Sequence, residues 1–70
     1  MSDKQRKVFE LRTIVVSTRA ALLKGDRARV KRQSDDLMAE LEAKVMREGA
    51  DPEILAAVEA ARRELWDDRL

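Results

Sequence analysis

The stretch VFELRTIVVSTRAALL, at positions 8–23, decides the fold of this 70-residue chain. Mostly apolar side chains recur in it at intervals of three and four residues, which brings them to one face of an α-helix. These positions are Val8, Leu11, Val15, Thr18 and Leu22, with Ile14 and Ala21 beside them. The spacing predicts a helix whose apolar face packs against a second helix in a hairpin.

The same stretch carries a second apolar stripe. Phe9, Val16 and Leu23 follow one another at intervals of seven residues, about 100° around the helix from the first stripe. A single neighbouring helix covers one stripe only. Either the third helix of the same chain covers the second stripe or a second protein chain does, and we expect a homodimer through this helix.

Two short breaks divide the chain into three helix-length segments. The first break is Gly25-Asp26, and the second is the run from Gly49 to Pro52. The segments are rich in Ala, Leu, Glu, Lys and Arg, which all favour helix. The pattern predicts one domain over 1–70, with helices at about 3–24, 27–48 and 52–69.

The second break has the clearer chemistry. Gly49 suits the left-handed conformation that often follows a helix end. Asp51 suits an N-cap, and Pro52 suits the first helical position, where its missing N–H is not needed. We therefore expect a sharp turn between the second and third helices.

The first break leaves the start of the second helix open. Asp26 can cap that helix, but Arg27 directly after it opposes the helix dipole. The run Ser34-Asp35-Asp36 has more suitable charges for a helix start. It is the alternative beginning for the regular part of this helix.

Size and composition point to association with another chain. The protein weighs 8.0 kDa and contains neither Cys nor His. Natural domains this small often add disulfides, a metal ion or a partner chain to a small core. Because disulfides and the commonest metal ligand are missing, we expect an all-α homodimer, a helical hairpin with the third helix packed against it, without cofactor or metal.

Charge is unevenly distributed along the chain. Residues 1–34 hold ten Lys and Arg against three Asp and Glu, a net charge of +7, whereas residues 35–70 hold five against eleven, a net charge of −6. Two candidate patches follow from this division. The basic patch comprises Arg19, Lys24, Arg27, Arg29, Lys31 and Arg32. The acidic patch, expected to face a partner protein, comprises Glu59, Glu64, Asp67 and Asp68.

Six apolar side chains are candidates for the dimer or partner interface. Three of them form the second stripe of the first helix. Two are methionines, whose flexible side chains adapt to partner surfaces, and one is the single tryptophan, a residue type that often anchors interfaces. The set is Phe9, Val16, Leu23, Met38, Met46 and Trp66. For Trp66, the competing interpretation is that it closes the core near the chain end.

Other function classes lack their usual residues. Without His or Cys, the few Ser and Thr hydroxyls have no common activating base, so we expect no enzyme activity. No apolar run is long enough to span a membrane, and no signal-peptide pattern opens the chain. We therefore expect no membrane association and a cytoplasmic location.

The apolar surplus and the acidic patch favour a non-catalytic protein-binding module. We expect a small regulatory adaptor or inhibitor whose apolar strip, bordered by the acidic patch, occludes a functional surface of a partner protein, such as the basic DNA-binding surface of a transcription factor. In size and helix pattern the chain resembles small bacterial helical proteins, including type III secretion co-chaperones and phage-encoded anti-activators. The alternative is a small nucleic-acid-binding protein that uses the basic turn around residues 19–32.

Overall fold

The computed structural model describes residues 2–67, which form three α-helices: α1 (Asp3–Leu22), α2 (Arg27–Arg47) and α3 (Pro52–Trp66). The all-α prediction is confirmed. The first two helices end slightly before the predicted positions 24 and 48. The third ends at Trp66, and the last predicted helical positions, 68 and 69, lie outside the described residues.

The beginnings of α1 and α2 follow from their capping residues. The Ser2 hydroxyl accepts a hydrogen bond from the Gln5 N–H, and the Gln5 side chain accepts one from the Ser2 N–H, which satisfies two free N–H groups at the start of α1. The Asp26 carboxylate accepts from the Ala28 N–H at 3.0 Å. The second helix therefore begins at Arg27, and the alternative start at Ser34 is wrong.

The turn between α2 and α3 has the predicted chemistry. Gly49 has φ 117° and Ala50 has φ 54°, and the Ala50 N–H donates to the Val45 carbonyl at 2.8 Å, which closes the end of α2. The Asp51 carboxylate then accepts from the Glu53 N–H at 2.9 Å. This tight reversal brings α3 back alongside the other two helices.

Ion pairs between helices define their relative directions. Four of these pairs are Lys7–Glu48 (2.7 Å), Lys4–Glu53 (2.6 Å), Arg19–Glu64 and Arg62–Glu42 (2.5 Å). The first joins the start of α1 to the end of α2, so these helices run antiparallel. The second and third join the starts and the ends of α1 and α3, so this pair runs parallel. The fourth joins α2 to α3.

The core lies between the three helices, and each helix contributes to it. Its members are Leu11, Val15, Met38, Leu41, Val45, Ile54, Val58 and Ala61. In the first stripe of α1, Leu11, Val15 and Thr18 are buried as predicted, but Val8 is exposed and Lys7 is buried instead. The reason is that Lys7 reaches the Glu48 carboxylate at the end of α2. Among residues 2–67, no helix has the length and apolar character needed to cross a lipid bilayer.

Candidate protein-binding interface

One side of α1 is not covered by either of the other helices. We call it the α1 outer face, and it comprises Phe9, Arg12, Thr13, Val16, Ala20 and Leu23. The second stripe lies on it, with Phe9 and Val16 each 63% exposed and Leu23 87% exposed. The sequence left two candidates to cover this stripe, α3 of the same chain and a second protein chain. The structure excludes α3, because α3 packs against the opposite side of α1.

The α1 outer face carries few charged side chains. Arg12 is exposed on this face between Phe9 and Val16 and makes no ion pair within residues 2–67, whereas the guanidinium of Arg19 is paired with Glu64 of α3. The Thr13 hydroxyl donates to the Phe9 carbonyl at 3.0 Å, so its hydrogen-bonding capacity is used within the helix. In a chain with 41% charged residues, an exposed apolar stripe that contains a single cation is a candidate protein contact surface.

A groove lies beside this face, between α1 and α2, on the side away from α3. It has a volume of about 680 Å³. Phe9, Ile14, Leu37 and Leu41 form its apolar walls, and Leu37 is 47% exposed. We call it the α1/α2 groove, and its dimensions suit apolar side chains of a partner.

Charged side chains of both signs border the α1/α2 groove. Lys44 of α2 approaches Glu10 of α1 to 3.8 Å, and Glu40 and Arg47 also line the groove. A bound segment would therefore meet an apolar centre and a polar rim, which is the usual arrangement of an interface. Phe9 belongs to both the groove and the α1 outer face.

Sequence reasoning missed Leu37 and the groove. Leu37 lies about 100° around the helix from Met38, so the two side chains point in different directions. Two neighbouring apolar residues on a helix cannot both point to the centre of a core, and this was the available signal. The structure buries Met38 and exposes Leu37.

The two methionines lie apart from the α1 outer face. Met38 is 0% exposed, in the centre of the core, so its assignment to an interface is wrong. The reason is its spacing of three or four residues from buried Leu41 and Ser34, which fixes it on the inner side of α2. Met46 is exposed, but it follows Glu42 by four residues, and Glu42 pairs with Arg62 of α3. It therefore lies on the α3 side of the molecule.

Trp66 packs against the start of α2. The Arg27 guanidinium and the Lys31 ammonium lie 5.7 Å and 5.6 Å from the centroid of its ring. Cations at this distance are attracted by the aromatic face. The half-buried ring and the covering cations favour the interpretation that Trp66 closes one end of the core.

The acidic patch is occupied by contacts within the chain. Glu64 pairs with Arg19, Glu59 pairs with Arg63 at 3.0 Å, and Asp67 has an interaction partner as well. These carboxylates belong to α3 and its C-cap, whereas the apolar stripe lies on the far side of α1. The structure therefore does not form the predicted strip bordered by acidic residues. Asp68 lies outside the described residues.

The basic patch is divided. Arg19 pairs with Glu64, and Arg27 and Lys31 cover Trp66, with Lys31 also bonded to Asp35 at 2.9 Å. The other three cations make no ion pair within residues 2–67. They are Lys24, Arg29 and Arg32.

In the described part of the chain, no three acidic side chains are arranged to hold a metal ion. Comparison with known proteins gives no match to a protein family, a curated protein or a solved structure. The two exposed apolar surfaces, the α1 outer face and the α1/α2 groove, are therefore the candidate binding sites of the molecule.

Proposed function

We propose that this protein is a non-catalytic protein-binding module that takes an apolar segment of a partner protein into the α1/α2 groove. The observation that carries the proposal is the pair of exposed apolar walls, Phe9 and Leu37, on either side of this opening. The binding unit is the helical hairpin of α1 and α2, and α3 supports it from the other side.

The regulatory effect of such a module is occlusion. An amphipathic helix of the partner would place its apolar side chains between Phe9 and Leu37, and its polar side chains against Glu40 and Arg47. While it is bound, that helix is withdrawn from its other contacts. This is the action of a small adaptor or inhibitor, and it uses no bond-making chemistry.

A charge placed in the groove tests the proposal. Leu37→Glu should abolish capture of partner proteins from the native host by the immobilised protein, because a carboxylate there loses its hydration in an apolar contact. The matched control is Ala56→Glu, which places the same side chain on an exposed position of α3 and should leave capture unchanged. Equal capture by the wild type and Leu37→Glu would contradict the use of the groove.

Nucleic-acid binding is the second candidate function, and three cations favour it. Lys24, Arg29 and Arg32 are exposed around the first turn, without ion pairs in the described residues. If they contact phosphates, duplex DNA or RNA should bind at low salt, with an affinity that falls steeply as salt rises. Exchange of all three for Glu should then remove binding. Failure of the wild type to bind at low salt would rule this candidate out.

A further inference from the structure

We infer that the segment bound in the α1/α2 groove is an amphipathic helix that runs parallel to α2, with a cation opposite Glu40 and a carboxylate two turns later opposite Arg47. This inference rests on the proposed function and adds to it the direction and the charges of the bound helix. It is carried by the two charged side chains of the groove that make no ion pair within residues 2–67.

Four charged side chains line the groove, and two of them neutralise each other. Glu10 of α1 and Lys44 of α2 approach to 3.8 Å. Glu40 and Arg47 are exposed and make no ion pair within residues 2–67. Both lie on α2, seven residues apart, which places them about 10 Å apart along the helix axis and on the same side of it. The groove therefore presents a free negative charge and, two turns further on, a free positive charge.

Apolar side chains extend along the groove between its two ends. Because α1 and α2 are antiparallel, Phe9 lies at the Arg47 end and Leu37 lies at the Glu40 end. From Leu37 to Arg47 the groove follows α2 for about 15 Å, which three turns of a bound helix cover. Apolar side chains of that helix, at intervals of three and four residues, would rest on Phe9, Ile14 and Leu37.

The order of the two free charges gives the bound helix a direction. A helix carries a partial positive charge at its N-terminus and a partial negative charge at its C-terminus. Because a three-turn helix ends close to both charges, its N-terminus is attracted by Glu40 and its C-terminus by Arg47, which is the direction of α2 itself. A cation and a carboxylate seven residues later on the bound helix add two ion pairs. In the opposite direction the same helix would bring like charges together, which is unfavourable.

Two synthetic peptides test this direction. Each is an Ala- and Gln-rich helix with a leucine stripe at intervals of three and four residues, and with one Lys and one Glu seven residues apart on the side of the stripe that meets α2. Lys comes first in the forward peptide, and Glu comes first in the reversed peptide. Fluorescence anisotropy with the full chain at low salt should give a dissociation constant roughly fivefold lower for the forward peptide, and added salt should reduce this difference.

An exchange of the two charges on the protein should exchange the preference. The double variant Glu40→Arg with Arg47→Glu should bind the reversed peptide more tightly than the forward one, by a similar factor. The matched control is Glu59→Arg with Arg63→Glu, which exchanges an exposed pair on α3 and should leave the preference for the forward peptide unchanged. Helical circular dichroism checks that both variants fold.

Leu37→Glu separates the direction of the helix from the use of the groove, since it should remove binding of both peptides. Equal binding of the two peptides by the wild type, or a preference that the exchange of Glu40 and Arg47 leaves unchanged, would overturn the inference about direction and charge. Binding of neither peptide by the wild type, or binding that Leu37→Glu does not weaken, would overturn the use of the groove and the inference together.

Discussion

Val15 and Val16 are identical neighbours on α1, but Val15 is 4% exposed and Val16 is 63% exposed. The inner face of the helix, to which Val15 belongs, packs against α2 and α3, and ion pairs such as Lys7–Glu48 close its edges. The outer face has similar apolar residues but no such closure. The comparison teaches that only one side of the apolar surface of α1 is used for folding, and it leaves the other side available for the contact with a partner that we propose.

Leucine truncation on the two faces should give the largest difference. Leu11 is buried in the core and Leu23 is the most exposed residue of the stripe. Leu11→Ala should lower the free energy of unfolding by about 2–5 kcal/mol, since it removes buried contacts and leaves a cavity. Leu23→Ala should change it by less than about 0.5 kcal/mol in dilute protein. Urea unfolding followed by circular dichroism measures both.

Equal losses in the free energy of unfolding for Leu11→Ala and Leu23→Ala would contradict the difference between the two faces. They would mean that Leu23 is also buried in the folded monomer. The measurement is made at low micromolar concentration or below, so that any dimer contributes little to the stability of the wild type.

The sequence was sufficient for the parts of the fold that depend on local chemistry. Asp51, Pro52 and Gly49 determine the second turn through capping, fixed φ and left-handed backbone, and all three act within a few residues. The stripe of seven-residue spacing was likewise visible, because helix geometry alone places Phe9 and Val16 on one side.

The sequence was insufficient where the outcome depends on which helix lies beside which. Whether α3 would cover Phe9 depended on the direction in which α3 returns, and no local pattern encodes that direction. The prediction that the acidic patch borders the apolar stripe was wrong for the same reason. Glu64 faces Arg19 only because α3 runs parallel to α1. Lys7 was unexpected because its burial depends on a carboxylate 41 residues away, at Glu48.

Removal of the buried hydroxyl of Ser34, on α2, should give the next largest change in the free energy of unfolding. Ser34 is 2% exposed, and its Oγ has no hydrogen-bond partner among the described residues. Ser34→Ala should raise the free energy of unfolding by about 1 kcal/mol, since an unsatisfied buried polar group is removed and Ala favours helix. A lower stability would show that the hydroxyl is satisfied. Ser17→Ala, at an exposed position of α1, is the control that measures the change in helix propensity alone.

A substitution at Ala50, in the turn between α2 and α3, should change the stability by a smaller amount. Ala50 has φ 54°, a conformation in which its Cβ is strained and glycine is not. Ala50→Gly should stabilise the fold by roughly 0.5 kcal/mol, because relief of strain slightly exceeds the added entropy of the unfolded chain. Thermal melting measures the change. A clear destabilisation would indicate that Ala50 adopts this conformation without strain.

The smallest expected effect on stability comes from the ion pair between Lys7, on the inner face of α1, and Glu48. The hydrogen bond from Lys7 raises the pKa of Lys7 above 10.5 and lowers the pKa of Glu48 below 4.5. The pair therefore stabilises the fold fully between these two values. Its contribution is lost as pH falls through the lowered pKa of Glu48, or as pH rises through the raised pKa of Lys7.

A double-mutant cycle with Lys7→Gln and Glu48→Gln isolates this contribution. The coupling free energy between the two positions should be measurable by urea unfolding at pH 7 and should decline steadily below pH 4.5, because protonated Glu48 no longer attracts the ammonium group. A coupling that stays constant into acid would mean that packing of the lysine stem, rather than its charge, holds Lys7 on the inner face. The two faces of α1 would then differ in contact area alone.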